Sequence, residues 1–245
     1  MPNERLRATI SAKGQTIQSV ADHVTVDPKT VERWITKDRT PHRTHRWKTA
    51  QLLGVDELYL WPAVDTETNT TSGAELVTFY PHRGAVPAAL WSSLIDNAVS
   101  QIDILVYAGL FLFDSHPDLA EQLADKAAAG AQVRILLGDP TSEAVAQRGE
   151  EEGIGEDLAA RARLSLRYLR PAAETPGVEI RQHTTPLYNS IYRFDDDVLV
   201  NPHVFGAPAG QNPVMHLRYV PGGRTFRHYM KSVDLVWEQA VPVPA

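Results

Sequence analysis

The stretch Ile102–Leu112, read IDILVYAGLFL, constrains the fold of this chain more than any other. It is apolar on both parities almost throughout, so a strand made from it has no face to offer to water and needs cover on both sides. A second run of the same kind, VRILLGDP, begins at Val133. Between them HPDLAEQLADKAAAG has helical spacing, with Ser115 as a candidate cap and Gly130 as a stop. Two doubly buried strands joined by a helix make an α/β unit. Upstream, ELVTFYP reads as a strand and VPAALWSSLIDNAVS as a helix. Downstream come helical pieces around Ser142–Arg148 and Gly155–Leu169, then strand-like VEIRQH, LYNSIYRF, DVLVNPHVF and VMHLRYV, and a terminal helix TFRHYMKSVDLVWEQA. The expected architecture of residues 75–245 is a mixed sheet flanked by helices.

Residues 1–63 read differently, as an all-α domain. NERLRATISAKG, TIQSVADHV, PKTVERWITK and RWKTAQLLG each show helical spacing, with Val31, Trp34 and Trp47 expected in a common core. Residues 64–74, VDTETNTTSGA, are polar and aperiodic and read as a linker. Charge divides along the same boundary. Residues 1–62 carry ten Lys/Arg against seven Asp/Glu, or +3, whereas residues 63–245 carry fourteen against twenty-three, or −9. Any phosphate-binding surface is therefore expected at the N-terminal end. No apolar run approaches the roughly 18 residues of a membrane span, and MPNERLRATI has no apolar signal core. The chain has no cysteine, which excludes disulfides and thiolate metal sites. A cytoplasmic protein without membrane attachment is the expectation.

Thr16–Lys37 carries the first functional pattern. A helix capped by Thr16 leads through Thr25 and Val26 to a second helix, with Asp27 as cap and Pro28 at its first position. This stretch, followed by a helix ending LLGVDELYLWP, resembles the Cro/phage-repressor-like helix-turn-helix family. The resemblance implies double-stranded DNA as partner, with Lys29, Thr30 and Arg33 at base edges. It also implies that Gln18, Lys37, Arg39 and Arg43 lie against phosphates. The chemistry is compatible: Arg suits the guanine edge, and Lys and helix N-termini suit phosphate. Glu32 departs from a purely basic face. The plain alternative is a solvated face on a small helical bundle.

Tyr188–Gly206, YNSIYRFDDDVLVNPHVFG, carries the second. The order of strands and helices leading to it resembles one half of a phospholipase D superfamily domain. That family places His-x-Lys, four residues, then Asp on this strand, with a Gly-Ser-x-Asn zone after it. Its histidine attacks phosphorus and its lysine holds the developing charge. Here the pattern falls on Tyr188, Ser190 and Asp195, and the later zone near Asn201–Val204. Only the aspartate matches. Starting instead from His183 puts Thr185 at the lysine position, and starting from His203 puts Phe205 there. Tyrosine, with pKa near 10, is a poor base near neutral pH, and serine carries no positive charge. The domain is therefore expected to be a pseudoenzyme.

Period two places Tyr188, Ser190 and Tyr192 on one face of their strand, and Asn201 and His203 share a face on the return strand. Tyr188, Ser190, Asp195, Asn201 and His203 are the candidate lining of a cleft for a small polar or phosphorylated ligand. His183, His216 and Arg218 are candidate neighbours. Each of these residues alone has an ordinary packing role as its alternative. No HxxxH or HxH spacing suggests a metal, no cofactor is implied, and the GIG at Gly153–Gly155 follows a Glu run rather than a strand. Half-domains of the phospholipase D type pair across two chains. The resemblance thus implies a homodimer, which would also grip palindromic half-sites about one DNA turn (~34 Å) apart. The reading is a homodimeric, sequence-specific transcriptional regulator with an inactive sensor or dimerisation domain. Its rival is a DNA-targeted phosphodiesterase or nuclease using Tyr188.

Overall fold

The computed structural model describes residues 2–62 and 72–243. The chain separates into two compact units, Met1–Thr71 and Ser72–Ala245. Most of the expected linker, residues 64–71, lies outside the described residues, while 72–74 form a turn of helix.

Among the described residues the first unit contains the helices α1 (Glu4–Ala12), α2 (Ile17–Val24), α3 (Pro28–Thr36), α4 (Arg43–Leu53) and α5 (Glu57–Leu60). Local chemistry sets their starts. Thr16 and Ser19 form a reciprocal capping box on α2, and the Asp27 side chain accepts from Lys29 N–H with Pro28 at the first helical position. Asn3 caps α1 and donates to the Leu60 carbonyl, tying the first helix to the last. Leu6, Val20, Val24, Val31, Trp34 and Leu53 fill the core. Trp47 does not join them. Helix α4 turns Thr49, Ala50 and Leu53 inward, which leaves Trp47 outside that arc and 56% exposed.

The second unit is built on an eight-stranded mixed sheet of order β1-β7-β6-β5-β2-β3-β4-β8. Its strands are β1 (Leu76–Tyr80), β2 (Gln101–Val106), β3 (Gln132–Gly138), β4 (Val178–His183), β5 (Asn189–Phe194), β6 (Asp197–Pro202), β7 (Val214–Arg218) and β8 (Val241–Pro242). Strands β2, β3 and β4 run parallel, and every other pairing is antiparallel. Helices α6 (Ala88–Asn97), α7 (Leu110–Ser115), α8 (Leu119–Ala128), α9 (Glu143–Glu151), α10 (Asp157–Ala173) and α11 (Thr225–Gln239) cover it. Parity divides the core into two layers. Ile102, Ile104, Val106, Tyr192 and Leu199 pack with Trp91, Leu112 and Leu123, whereas Leu105, Leu136, Ile191 and Val200 pack with Leu158, Phe226 and Val233. The mixed sheet flanked by helices agrees with the sequence pattern.

Two local readings change. The run Ile102–Leu112 is a strand only to Val106; Gly109 then adopts φ +69° and opens helix α7. A Cβ on Gly109 would come within 2.9 Å of Val106 Cγ2, so glycine is required by both space and conformation. Ser115 ends α7 rather than capping the next helix, which begins after Asp118.

Two buried acids explain their own presence. Asp103 is fully buried in β2, and its carboxylate binds Arg134 Nε at 2.6 Å and Arg193 at 3.3 Å on the same face. A lone charge there would be prohibitive, whereas one bracketed by two guanidiniums is tolerated. Glu75 accepts from the Thr225 and Phe226 amides at 2.8 and 3.1 Å. Its charge thus neutralises the N-terminal end of α11.

Candidate functional site

In the first unit the outer face of α3 carries Lys29 and Arg33, with Lys37 just past its end, all exposed, and Thr30 half-buried beside them. Val31, Trp34 and Ile35 on the opposite face are buried. The helix thus divides cleanly into an anchored side and a free, cationic side. Gln18 is exposed on α2, where its amide donates to Asp22 at 2.8 Å. Arg39 and Arg43 are exposed in and after the connection to α4. Glu32 is exposed on the same helix and moderates the positive charge.

In the second unit the parallel strands β2, β3 and β4 end together at Val106, Gly138 and His183, in the register Val106↔Leu137 and Gly138↔His183. The carboxyl ends of parallel strands are where α/β sheets commonly receive ligands, because the chain leaves the sheet there and frees side chains and backbone groups. Strand β5 is antiparallel to β2, so it delivers its start to this end. Strand β6, antiparallel to β5, delivers its finish. Ser190 and Asn201 are register partners.

A hydrogen-bonded cluster results. His203 Nδ1 lies 3.1 Å from the Leu187 carbonyl, which can only accept, so Nδ1 carries the proton. Nε2 then presents its lone pair to the Ser190 hydroxyl, 3.0 Å away. The Tyr107 ring stacks on His203 at 5.6 Å and 26°, with His183 tilted against it at 6.0 Å. The Tyr107 hydroxyl accepts from Leu187 N–H at 2.7 Å, and His183 Nε2 lies 3.1 Å from the Val106 carbonyl. Asn201 is fully buried and donates to the Pro213 carbonyl at 2.9 Å. Burial first, and the Arg148 guanidinium second, push His203 down to about 4. Burial likewise lowers His183. Both imidazoles are neutral near pH 7.

Ser190, Asn201, His203 and His183 therefore come together, and Tyr188 stands beside them, 82% exposed, its carbonyl accepting from His203 N–H. Three expected members do not join. Asp195 sits five residues along β5 from Ser190, roughly 16 Å at the rise of a strand. In the β5–β6 turn at φ +51° it accepts from Val99, Ser100 and Gln101. Partial burial alone would raise this carboxyl, but those hydrogen bonds outweigh it and hold it at about 2. His216 and Arg218 both bind Asp197, at 2.6 and 3.0 Å, near that same far end of β6. Period two predicts a shared face, but not which end of a strand a residue occupies. Tyr107, Leu187 and Arg148 went unnoticed in the sequence. Arg148 is buried, pairs with Glu151 and Glu152, and donates to the Ala207 carbonyl in the loop after β6.

The Ser190–His203 pair has the polarity of a nucleophile and its base, yet two features weaken it for catalysis. The group orienting the imidazole is a neutral carbonyl rather than a carboxylate. A base held near pKa 4 also takes a proton poorly at neutral pH.

No protein-family model matches the chain, and no curated protein matches it. Solved structures similar to it include Nuc and TrmBL2. Nuc from Salmonella typhimurium, a phospholipase D family member, aligns at a TM-score of 0.44 and 15% identity, over 68% of this chain and 95% of that one. TrmBL2, an archaeal chromatin protein, aligns at 0.45 and 14%, over 89% of this chain and 72% of that one.

Proposed function

We propose that the protein is a sequence-specific DNA-binding regulator that acts as a homodimer, reading DNA through α2 and α3 as a helix-turn-helix. The observation that carries this reading is the division of α3: a buried apolar side fixes the helix, and Lys29, Thr30 and Arg33 stand free on the other, with Lys37 just past its end. The positive balance of residues 1–62 against the acidic remainder supports the same surface. Gln18, Arg39 and Arg43 supply phosphate contacts in this reading.

The second unit pairs the two copies. Tyr188, Val204 and Phe205 are exposed at the sheet end that holds the Ser190–His203 cluster. Exposed aromatics of this kind mark interaction surfaces. The cluster itself suits hydrogen bonding to a small polar or phosphorylated ligand, with no catalytic step. The rival phosphodiesterase using Tyr188 needs a cation beside the phenol. Arg193, the nearest on that strand, is instead held by Asp103 on the opposite face.

The deciding experiment selects a preferred duplex from random DNA, then compares parent and Arg33→Ala protein on it. Loss of a base-edge arginine costs about 1–3 kcal/mol, a loss of roughly 5- to 150-fold. Unchanged affinity would remove α3 as the reading helix. Turnover of a phosphodiester substrate, abolished by Tyr188→Phe, would favour the rival.

A further inference from the structure

A groove of about 550 Å³ lies between α10 and the edge strand pair β4–β8, among residues that the regulator reading does not use. Sites for small molecules commonly occupy roughly 300–1,000 Å³. Its floor is apolar, formed by Leu166, Val178, Ile180 and Val243. Its wall is cationic. Arg163, Arg167 and Arg170 recur along α10 at helical spacing, so all three project from one side of the helix over about 10 Å.

None of these three arginines forms an ion pair or side-chain hydrogen bond among the described residues. Arg181, also in the lining, is by contrast committed: it donates to the Trp237 carbonyl, pairs with Glu179 and stacks on the Trp237 ring at 4.0 Å. Glu174 is the remaining acid in the groove, and it offsets one of the three charges. Three neighbouring guanidiniums repel one another, and a bound anion relieves that repulsion while accepting their planar, forked hydrogen bonds.

We propose that this groove binds an amphiphilic anion, with a carboxylate or phosphate monoester head among Arg163, Arg167 and Arg170 and a hydrocarbon body on Leu166, Val178 and Ile180. The apolar floor favours such a molecule over a nucleic-acid backbone, which would match the arginines but leave the floor unused. The site is distinct from the Ser190–His203 cluster and would give the second unit a signal to sense.

The test is calorimetric titration of the full-length chain with decanoate and with decyl phosphate, both below their micellar concentrations, against decanol and inorganic phosphate as controls. Saturable binding of at least one amphiphile is expected, with each control at least tenfold weaker. Arg167→Gln should weaken it about tenfold and Arg163→Gln/Arg167→Gln more, with unchanged circular dichroism because both side chains are exposed. Leu166→Gln should weaken the amphiphile but not inorganic phosphate. The proposal is overturned if neither amphiphile binds saturably, if the double variant binds as the parent does, or if inorganic phosphate binds as tightly. It is also overturned if the double variant loses only DNA affinity. Arg33→Ala protein should bind the amphiphile normally, so failure of the DNA reading and failure of this one are separate results.

Discussion

Replacing Asp195 by alanine should loosen the β5–β6 end of the sheet and leave ligand and DNA binding intact. The carboxylate accepts four hydrogen bonds at 2.6–2.9 Å, from the amides of Val99, Ser100 and Gln101 and from the Ser100 hydroxyl. Hydrogen bonds to a charged group contribute about 1.5–3 kcal/mol each when shielded. These lie near the surface, where water replaces much of what is lost, so about 0.7 kcal/mol apiece and about 3 kcal/mol in all is the appropriate scale. Alanine at φ +51° adds roughly 1 kcal/mol, because Asp and Asn tolerate the left-handed region better. Asp195→Ala should therefore cost about 4 kcal/mol, and Asp195→Asn, which keeps one acceptor oxygen and the backbone tolerance, about half of that. Urea unfolding followed by tryptophan fluorescence measures the loss. Hydrogen exchange over residues 97–103 locates it, as faster exchange of the three amides.

The pH dependence has a definite sign. The folded carboxyl is depressed to about 2, so its contribution is complete above the unfolded value near 4 and disappears as pH falls from there to about 2. Neither variant should show that loss. An Asp195→Ala protein with parental stability and exchange, but without ligand or DNA binding, would refute the structural role and restore Asp195 to the cleft.

His203 titrates with the same sign in a higher pH window. Its folded pKa, about 4, lies below the unfolded value near 6.5, so the unfolded chain binds the extra proton and stability declines as pH falls from 6.5 to 4. The decline due to this residue is about 2–3 kcal/mol, and His203→Gln should flatten it in urea midpoints taken at pH 7 and pH 4.5; equal slopes would refute the assignment. Phe205, 83% exposed, should be replaceable by glutamate without loss of fold. If it lies in the proposed interface, sedimentation should show Phe205→Glu protein as a monomer, and a persisting dimer would place the interface elsewhere.

Much of the architecture was legible because it rests on local chemistry. The doubly apolar residues of β2 and β3 demanded a sheet covered on both faces, and the Thr16 and Asp27-Pro28 caps marked where α2 and α3 begin. The errors also have local causes. Ile102–Leu112 is one unbroken apolar run, and hydrophobicity alone does not say that Gly109 turns it from strand to helix. Trp47 is as apolar as Trp34, but only the packing of α4 against the other helices decides which of them is buried.

The site was legible in its residues and not in its grouping. Alternation in Tyr188–His203 identifies which side chains share a face, because successive residues of a strand point to opposite sides whatever the fold. It does not say which end of the sheet Ser190 and Asp195 each occupy. That follows from β5 running antiparallel to β2, which puts Ser190 at the carboxyl end of the parallel strands and Asp195 against Val99–Gln101. Tyr107 meets Leu187 across 80 positions of sequence, and Arg148 reaches Ala207 across 59. The last strand returns to pair with β4, and Pro242 and Val243 there complete the lining of the groove beneath Arg163, Arg167 and Arg170. Secondary structure is a property of neighbours in sequence and can be read there. A binding surface is made by contacts between distant segments, and those become definite only when the sheet order is set.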